Sequence, residues 1–287
     1  MYSEYEKPII ICSIFYYDRE YKKDTAAQVL HILTKYGMFP PEKFYAGKLT
    51  ENRFVYAGKQ ARDILIQGYS EKDVLELDMS SGNSRKVTDY WRVQWGLTFY
   101  KNSRLAVEPV FLPWNVLSIH STHGRLKDSK LYSDFFGCMK ELIALLEPFY
   151  VSVDDVNNKV NLMDRAKEAH FVPDRIQEIF WGNYFGKDHC SRYGLDNLKR
   201  LPSKHIEVIG DGIFFSLTDS VLEYDSKECK NGRKKIKQYL EVIRRKTGEQ
   251  SPPCHSSPKL RGNYAPVSKS SPTPKPPSDE GGGKTKF

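Results

Sequence analysis

Residues 91–99 read WRVQWGLTF, and this stretch decides the fold class. Trp91, Val93, Trp95, Leu97 and Phe99 occupy every second position, while Arg92, Gln94, Thr98 and Tyr100 alternate with them. A period of two with one apolar and one polar set is the signature of a strand with one buried face. Slipping the strand by one residue would turn five large apolar groups to the wrong side, so the pairing register is strongly specified. The neighbours fit the same plan. Leu75, Leu77 and Met79 alternate with Glu76 and Asp78, a turn is expected around Gly82-Asn83, and residues 114–121 read as a partner strand beyond Pro109 and Pro113.

Working outward, residues 8–17 read as a buried first strand. A helix capped by Asp24 carries Val29, Leu30, Leu33 and Tyr36 and stops at Gly37. A shorter helical pattern covers Ala61–Gln67. The clearest helix runs over 128–147, where Leu131, Phe135, Cys138, Leu142 and Leu145 form one stripe and Pro148 ends it. The second half continues with a strand at 149–153, a helix at 159–170, a strand at 178–185 and a helix from about Asp188. Gly210-Asp211-Gly212 marks a hairpin between Ile206/Val208 and Ile213/Phe215/Leu217. A basic helix then carries Ile236, Tyr239, Leu240 and Ile243 on one face. Together these define an α+β domain over 1–245, a mainly antiparallel sheet with helices on one face. The alternative is a division near residue 125 into two similar α/β halves. Residues 246–287 are dominated by Ser, Pro, Gly and Lys and lack an apolar period, which predicts a disordered basic tail.

Composition narrows the function classes. Eighteen Tyr, 15 Phe and 4 Trp favour sheet, and the 28% charged fraction is ordinary. Glu4 and Glu6 stand where a secretory signal carries positive charge, and the apolar run 8–17 falls far short of a membrane span. Five scattered cysteines without a CxxC pair fit a reducing compartment, and the expected location is the cytoplasm. Of the formal +8, the stretch from Lys246 onward contributes seven Lys/Arg against three acids, a net +4. A second concentration lies at Lys230, Arg233, Lys234, Lys235, Lys237, Arg244 and Arg245, and the remaining body is nearly neutral.

Chemical motifs are sparse. Gly281–Thr285 resembles the end of a phosphate-binding loop, but Ser278 stands where that pattern needs its first glycine. His120 and His123 would point to opposite faces of a strand and so do not make a metal pair. Asp154-Asp155 before Asn157-Asn158 reads as a turn and cap, with acid/base or metal work as the sharper alternative. No nucleophile elbow, zincin helix or dinucleotide turn is present. The expectation is a non-enzyme with no catalytic residue, cofactor or metal. The basic helix 230–246 and the tail admit two readings: a solvated face, or a contact surface for nucleic acid or another anionic surface.

The run Ile179–Gly186 (IFWGNYFG), then Tyr193-Gly194, Leu198 and 206–217, resembles the C-terminal region of bacterial immunity proteins from polymorphic and contact-dependent toxin systems, the immunity protein 52-like family in particular. That resemblance implies binding and neutralisation of a cognate protein toxin by occlusion. It makes Trp181, Asn183 and Tyr184 candidate toxin contacts, while Lys234, Lys235 and Lys237 are candidate partner contacts on the basic helix. For Trp181, Asn183 and Tyr184 the competing expectation is burial in the sheet, with Asn183 bonded to backbone.

Overall fold

The computed structural model describes residues 8–17, 23–38, 43–46, 53–55, 76–81, 91–96, 114–165, 176 and 178–246. All of these lie in one unit, Met1–Gly248. The expected helix at 61–67, the turn at 82–83 and the tail beyond Lys246 lie outside the described residues.

The strands are β1 (Ile9–Tyr17), β2 (Lys43–Ala46), β3 (Arg53–Val55), β4 (Glu76–Ser81), β5 (Trp91–Gly96), β6 (Trp114–Thr122), β7 (Tyr150–Asp155), β8 (Gly182–Phe185), β9 (His205–Ile209) and β10 (Gly212–Ser216). They form a single sheet in the order β3-β2-β4-β5-β6-β1-β7-β8-β10-β9. Every neighbouring pair is antiparallel. The 91–96 ladder has the expected partner: Val93 and Trp95 pair with Ile119 and Leu117 of β6, and with Met79 and Leu77 of β4. The apolar alternation of three separate segments therefore falls in one register. Chain halves before and after residue 125 share this continuous sheet, because β1 pairs with both β6 and β7.

The helices are α1 (Lys23–Lys35), α2 (His123–Leu126), α3 (Ser129–Leu146), α4 (Val156–Arg165), α5 (Lys187–Tyr193), α6 (Leu195–Leu198) and α7 (Lys227–Lys246). Asp24 sits inside α1 rather than capping it. Asp128 caps α3 by accepting the amides of Lys130 and Leu131 at 2.9 and 3.0 Å, and α3 buries Phe135, Cys138, Met139, Leu142 and Ile143. Its last amide bond, Glu147 to Ile143 O, precedes Pro148, which cannot continue the helix.

The sheet is covered on both faces at its centre, where the sequence expectation was helices on one face. Lys159 of α4 donates to Ser13 and lies over the Phe15 ring on one side of β1, while the alternating Ile10, Cys12 and Ile14 are fully buried on the other. Successive strand residues point to opposite sides, so both faces are covered at the centre of the sheet, the Ser13 side by α4. All six residues of β7 are accordingly buried.

The expected strand at 178–185 is half ladder and half loop, for a local reason. The amides of Ile179, Phe180 and Trp181 are taken by the side chains of Glu178, Asn183 and Asp154, at 2.9, 3.1 and 2.9 Å. Those donors are then not available to a neighbouring strand, and the ladder begins only at Gly182. The hairpin forms as read: Gly212 pairs with Ile209, leaving Gly210-Asp211 as a two-residue loop. Gly210, the first of the two, takes φ +55°, a conformation costly for residues with a Cβ.

Candidate functional site

The described polar groups concentrate where β7 ends against the 178–181 loop and α7. Asp154 is fully buried. Its Oδ1 accepts from the Asp155 amide and from Asn158 Nδ2, both at 2.8 Å. Its Oδ2 accepts from the Trp181 amide at 2.9 Å and faces Arg233 Nη2 at 3.4 Å. Burial pushes the carboxyl upward, while Asn158, Arg233 and the two amides pull against that shift. Arg233 also donates from Nε to Ile179 O at 2.6 Å, so its guanidinium clamps the loop to the helix. Asp155 Oδ1 accepts the amides of Asn157 and Asn158 at 2.9 and 3.2 Å, which starts α4 as an N-cap does. Asp155 Oδ2 lies 3.5 Å from His123 Nε2, and the His123 ring meets Tyr224 edge-on at 5.4 Å.

A second feature crosses the middle of the sheet. Ser118, Ser13 and Ser152 occupy one register row on β6, β1 and β7. Ser118 donates to Ser13 at 3.2 Å, and Lys159 Nζ donates to Ser13 and Ser152 at 2.8 and 2.6 Å. The ammonium also sits over the rings of Phe15 and Phe180, at 5.8 and 5.4 Å. Desolvation lowers the Lys159 pKa to about 8. Hydroxyl dipoles and ring faces solvate this cation, and no carboxylate pairs with it among the described residues.

The Asp154 carboxylate and the serine row are closed on themselves, whereas Asp155 Oδ2 and His123 Nε2 are buried 3.5 Å apart and neither makes a hydrogen bond among the described residues. Among the described residues no group of three or more His, Cys, Asp or Glu side chains could hold a metal. His120 is buried on β6, whereas His123 begins α2 where the chain leaves the strand.

The candidate contacts divide sharply. Trp181, Asn183 and Tyr184 are buried, and their side chains do not form a surface. Trp181 Nε1 donates to Thr218 Oγ1 at 2.7 Å, and Tyr184 OH donates to Ile209 O at 3.1 Å. Asn183 Oδ1 accepts from the Phe180 amide and from Tyr150 OH, and its Nδ2 donates to Phe180 O at 3.0 Å. Assigning these three as partner contacts is therefore corrected: they shape the 178–181 loop. Lys237 pairs with Glu178 Oε1 at 2.5 Å. Lys234 and Lys235 are exposed, without an ion pair among the described residues.

Arg233 and Lys159 are the residues that a charge count misplaces. Spacing could have found both. Cys229, Arg233, Ile236, Leu240 and Ile243 recur at helical intervals, so Arg233 lies on the apolar stripe of α7, and Lys159 lies one turn from buried Leu162.

No protein-family model matches the chain, and no curated protein does. Its fold is similar to that of a Pseudomonas aeruginosa T6SS protein, PA0821, with a TM-score of 0.56 at 14% identity, over 80% of this chain and 73% of that one. No helix among the described residues is long and apolar enough to cross a membrane.

Proposed function

We propose that this chain is a non-catalytic, immunity-type protein of a bacterial toxin system, binding a cognate protein toxin in the cytoplasm of the producing cell and blocking it by occlusion. The observation that carries the reading is the fold shared with a T6SS protein over most of both chains. The 179–217 resemblance supports it independently. So does the chemistry of the cluster at Asp154: its carboxylate oxygens and Arg233 are spent on positioning a loop and a helix. Groups committed in this way lack a free lone pair or proton in the place where a substrate needs one. An occluding protein requires only a rigid, complementary surface.

Co-expression with the toxin-like product of the neighbouring gene tests the reading. Rescued growth together with a complex that survives gel filtration is the expected result. Unrelieved toxicity with no complex would sink it.

A further inference from the structure

The outer face of α7 is a basic surface anchored from behind. The helix carries nine Lys/Arg against Glu228 and Glu241. Five of the nine are occupied: Lys230 with Asp225, Arg233 with Asp154, Lys237 with Glu178, and Arg244 and Arg245 with Glu241. Lys227, Lys234, Lys235 and Lys246 have no ion-pair partner among the described residues, and Lys234-Lys235 stand adjacent at mid-helix. Beside them, at helical spacing, lie exposed Gln238 and Val242, the latter 51% exposed. Lys234 lies one turn from Lys230, whose charge is met by Asp225, while the charges of Lys234 and Lys235 are met by no carboxylate among the described residues.

From the Proposed function reading, we infer that this face is the docking surface for the cognate toxin, and that it receives an acidic patch on that protein. Charge complementarity defines the occupant. Two unneutralised ammonium groups flank an amide and one exposed apolar side chain, a mixture that suits a polar protein interface facing carboxylates. A nucleic-acid strand fits less well, because no aromatic ring stands on the exposed face to stack a base. Tyr239 is half-buried, and its OH donates to Asn197 O. Twenty residues of helix give a rod about 30 Å long with one exposed face. The opposite face is fixed by buried Ile236, Leu240 and Ile243 and by the Arg233 clamp, so little ordering cost falls on binding.

The test measures binding of the purified neighbouring-gene toxin to the full chain, to K234E/K235E, to V242E and to K187E, an exposed lysine on α5. Circular dichroism verifies that each variant is folded. The double reversal is expected to weaken binding by roughly a hundredfold or more, chiefly at low salt, and V242E by roughly tenfold, with K187E unchanged. Replacing acidic toxin residues by lysine should restore part of the K234E/K235E loss. If wild type and K234E/K235E bind equally, the surface is wrong while the immunity reading stands. If no form binds the toxin, both fall. Binding of duplex or single-stranded nucleic acid by wild type in place of the toxin, with a steep salt slope lost in K234E/K235E, would overturn the protein partner in favour of a phosphate backbone.

Discussion

Arg233 Nη2 and Asp154 Oδ2 meet at 3.4 Å across 79 residues of sequence, and through them the last helix is fastened to the end of a strand beside the centre of the sheet. Both side chains are almost wholly removed from water. Two charges buried together attract strongly, but each has given up its hydration, so removing one partner costs more than the pair is worth.

Asp154→Ala is therefore expected to destabilise the fold by about 3–5 kcal/mol, since it strands the guanidinium and frees the Trp181 amide. Asp154→Ala/Arg233→Met should recover part of that loss by removing the isolated charge. Urea denaturation midpoints measure both. A single variant within about 1 kcal/mol of wild type would show that the clamp contributes little.

Lys159 makes stability depend on alkaline pH. Its amine titrates near 8 in the folded chain and near the ordinary 10.5 when unfolded. Below 8 both states carry the proton, and the cost of burying the cation is fully present. Between 8 and 10.5 the unfolded chain binds the proton more tightly, so this group raises stability as pH rises. Wild type should gain on Lys159→Met between pH 7 and pH 9.5 in parallel denaturation series. A gap that stays constant, or moves the other way, would contradict the desolvated ammonium.

Four cysteines should be silent in the native state. Burial pushes the Cys12 thiol up to about 12, Cys190 and Cys229 to about 11, and Cys138 higher still. The thiolate is the reacting species, and at pH 8 a thiol titrating near 11 carries about a hundredfold less of it than one at the ordinary 9.0. Iodoacetamide followed by peptide mass spectrometry should label none of these four until denaturant is added. Early labelling of Cys190 or Cys229 would mean that α5 or α7 opens locally.

Gly212 is held to its size by the strand beside it. A Cβ there would run into the Tyr184 ring and hydroxyl and the Phe185 carbonyl oxygen. Gly212→Ala should cost at least about 1–3 kcal/mol. Combining it with Tyr184→Phe should not rescue stability, because the Phe185 backbone remains in the way. Thermal unfolding of the two variants decides the point.

Much of the fold was legible because alternation is a strong signal where a strand has one apolar side. WRVQWG, Leu77/Met79 and the Gly210-Asp211 loop all took their expected places. What the pattern could not reveal was coverage of the second face. Ser13, Ser118 and Ser152 carry no apolar signal of their own, yet a lysine from a later helix closes over this row. The candidate contacts were less legible for a related reason. An aromatic-rich run such as IFWGNYFG reads equally as surface or core, and the choice turned on whether Asn183 found backbone partners at home. The basic helix was legible in charge but not in its allocation: which cations are spent depends on Asp154, Glu178 and Asp225, all remote in sequence or off the helix.

The placement of β1 in the interior of the sheet has a consequence for synthesis. The ribosome makes this strand before any of its partners, and Ser13 must wait 105 residues for Ser118. At about 5–20 residues per second that interval is roughly 5–20 s, during which an apolar segment has no native strand beside it. Chaperone demand should therefore be highest between the synthesis of β1 and that of β6, and fall once the two strands can pair.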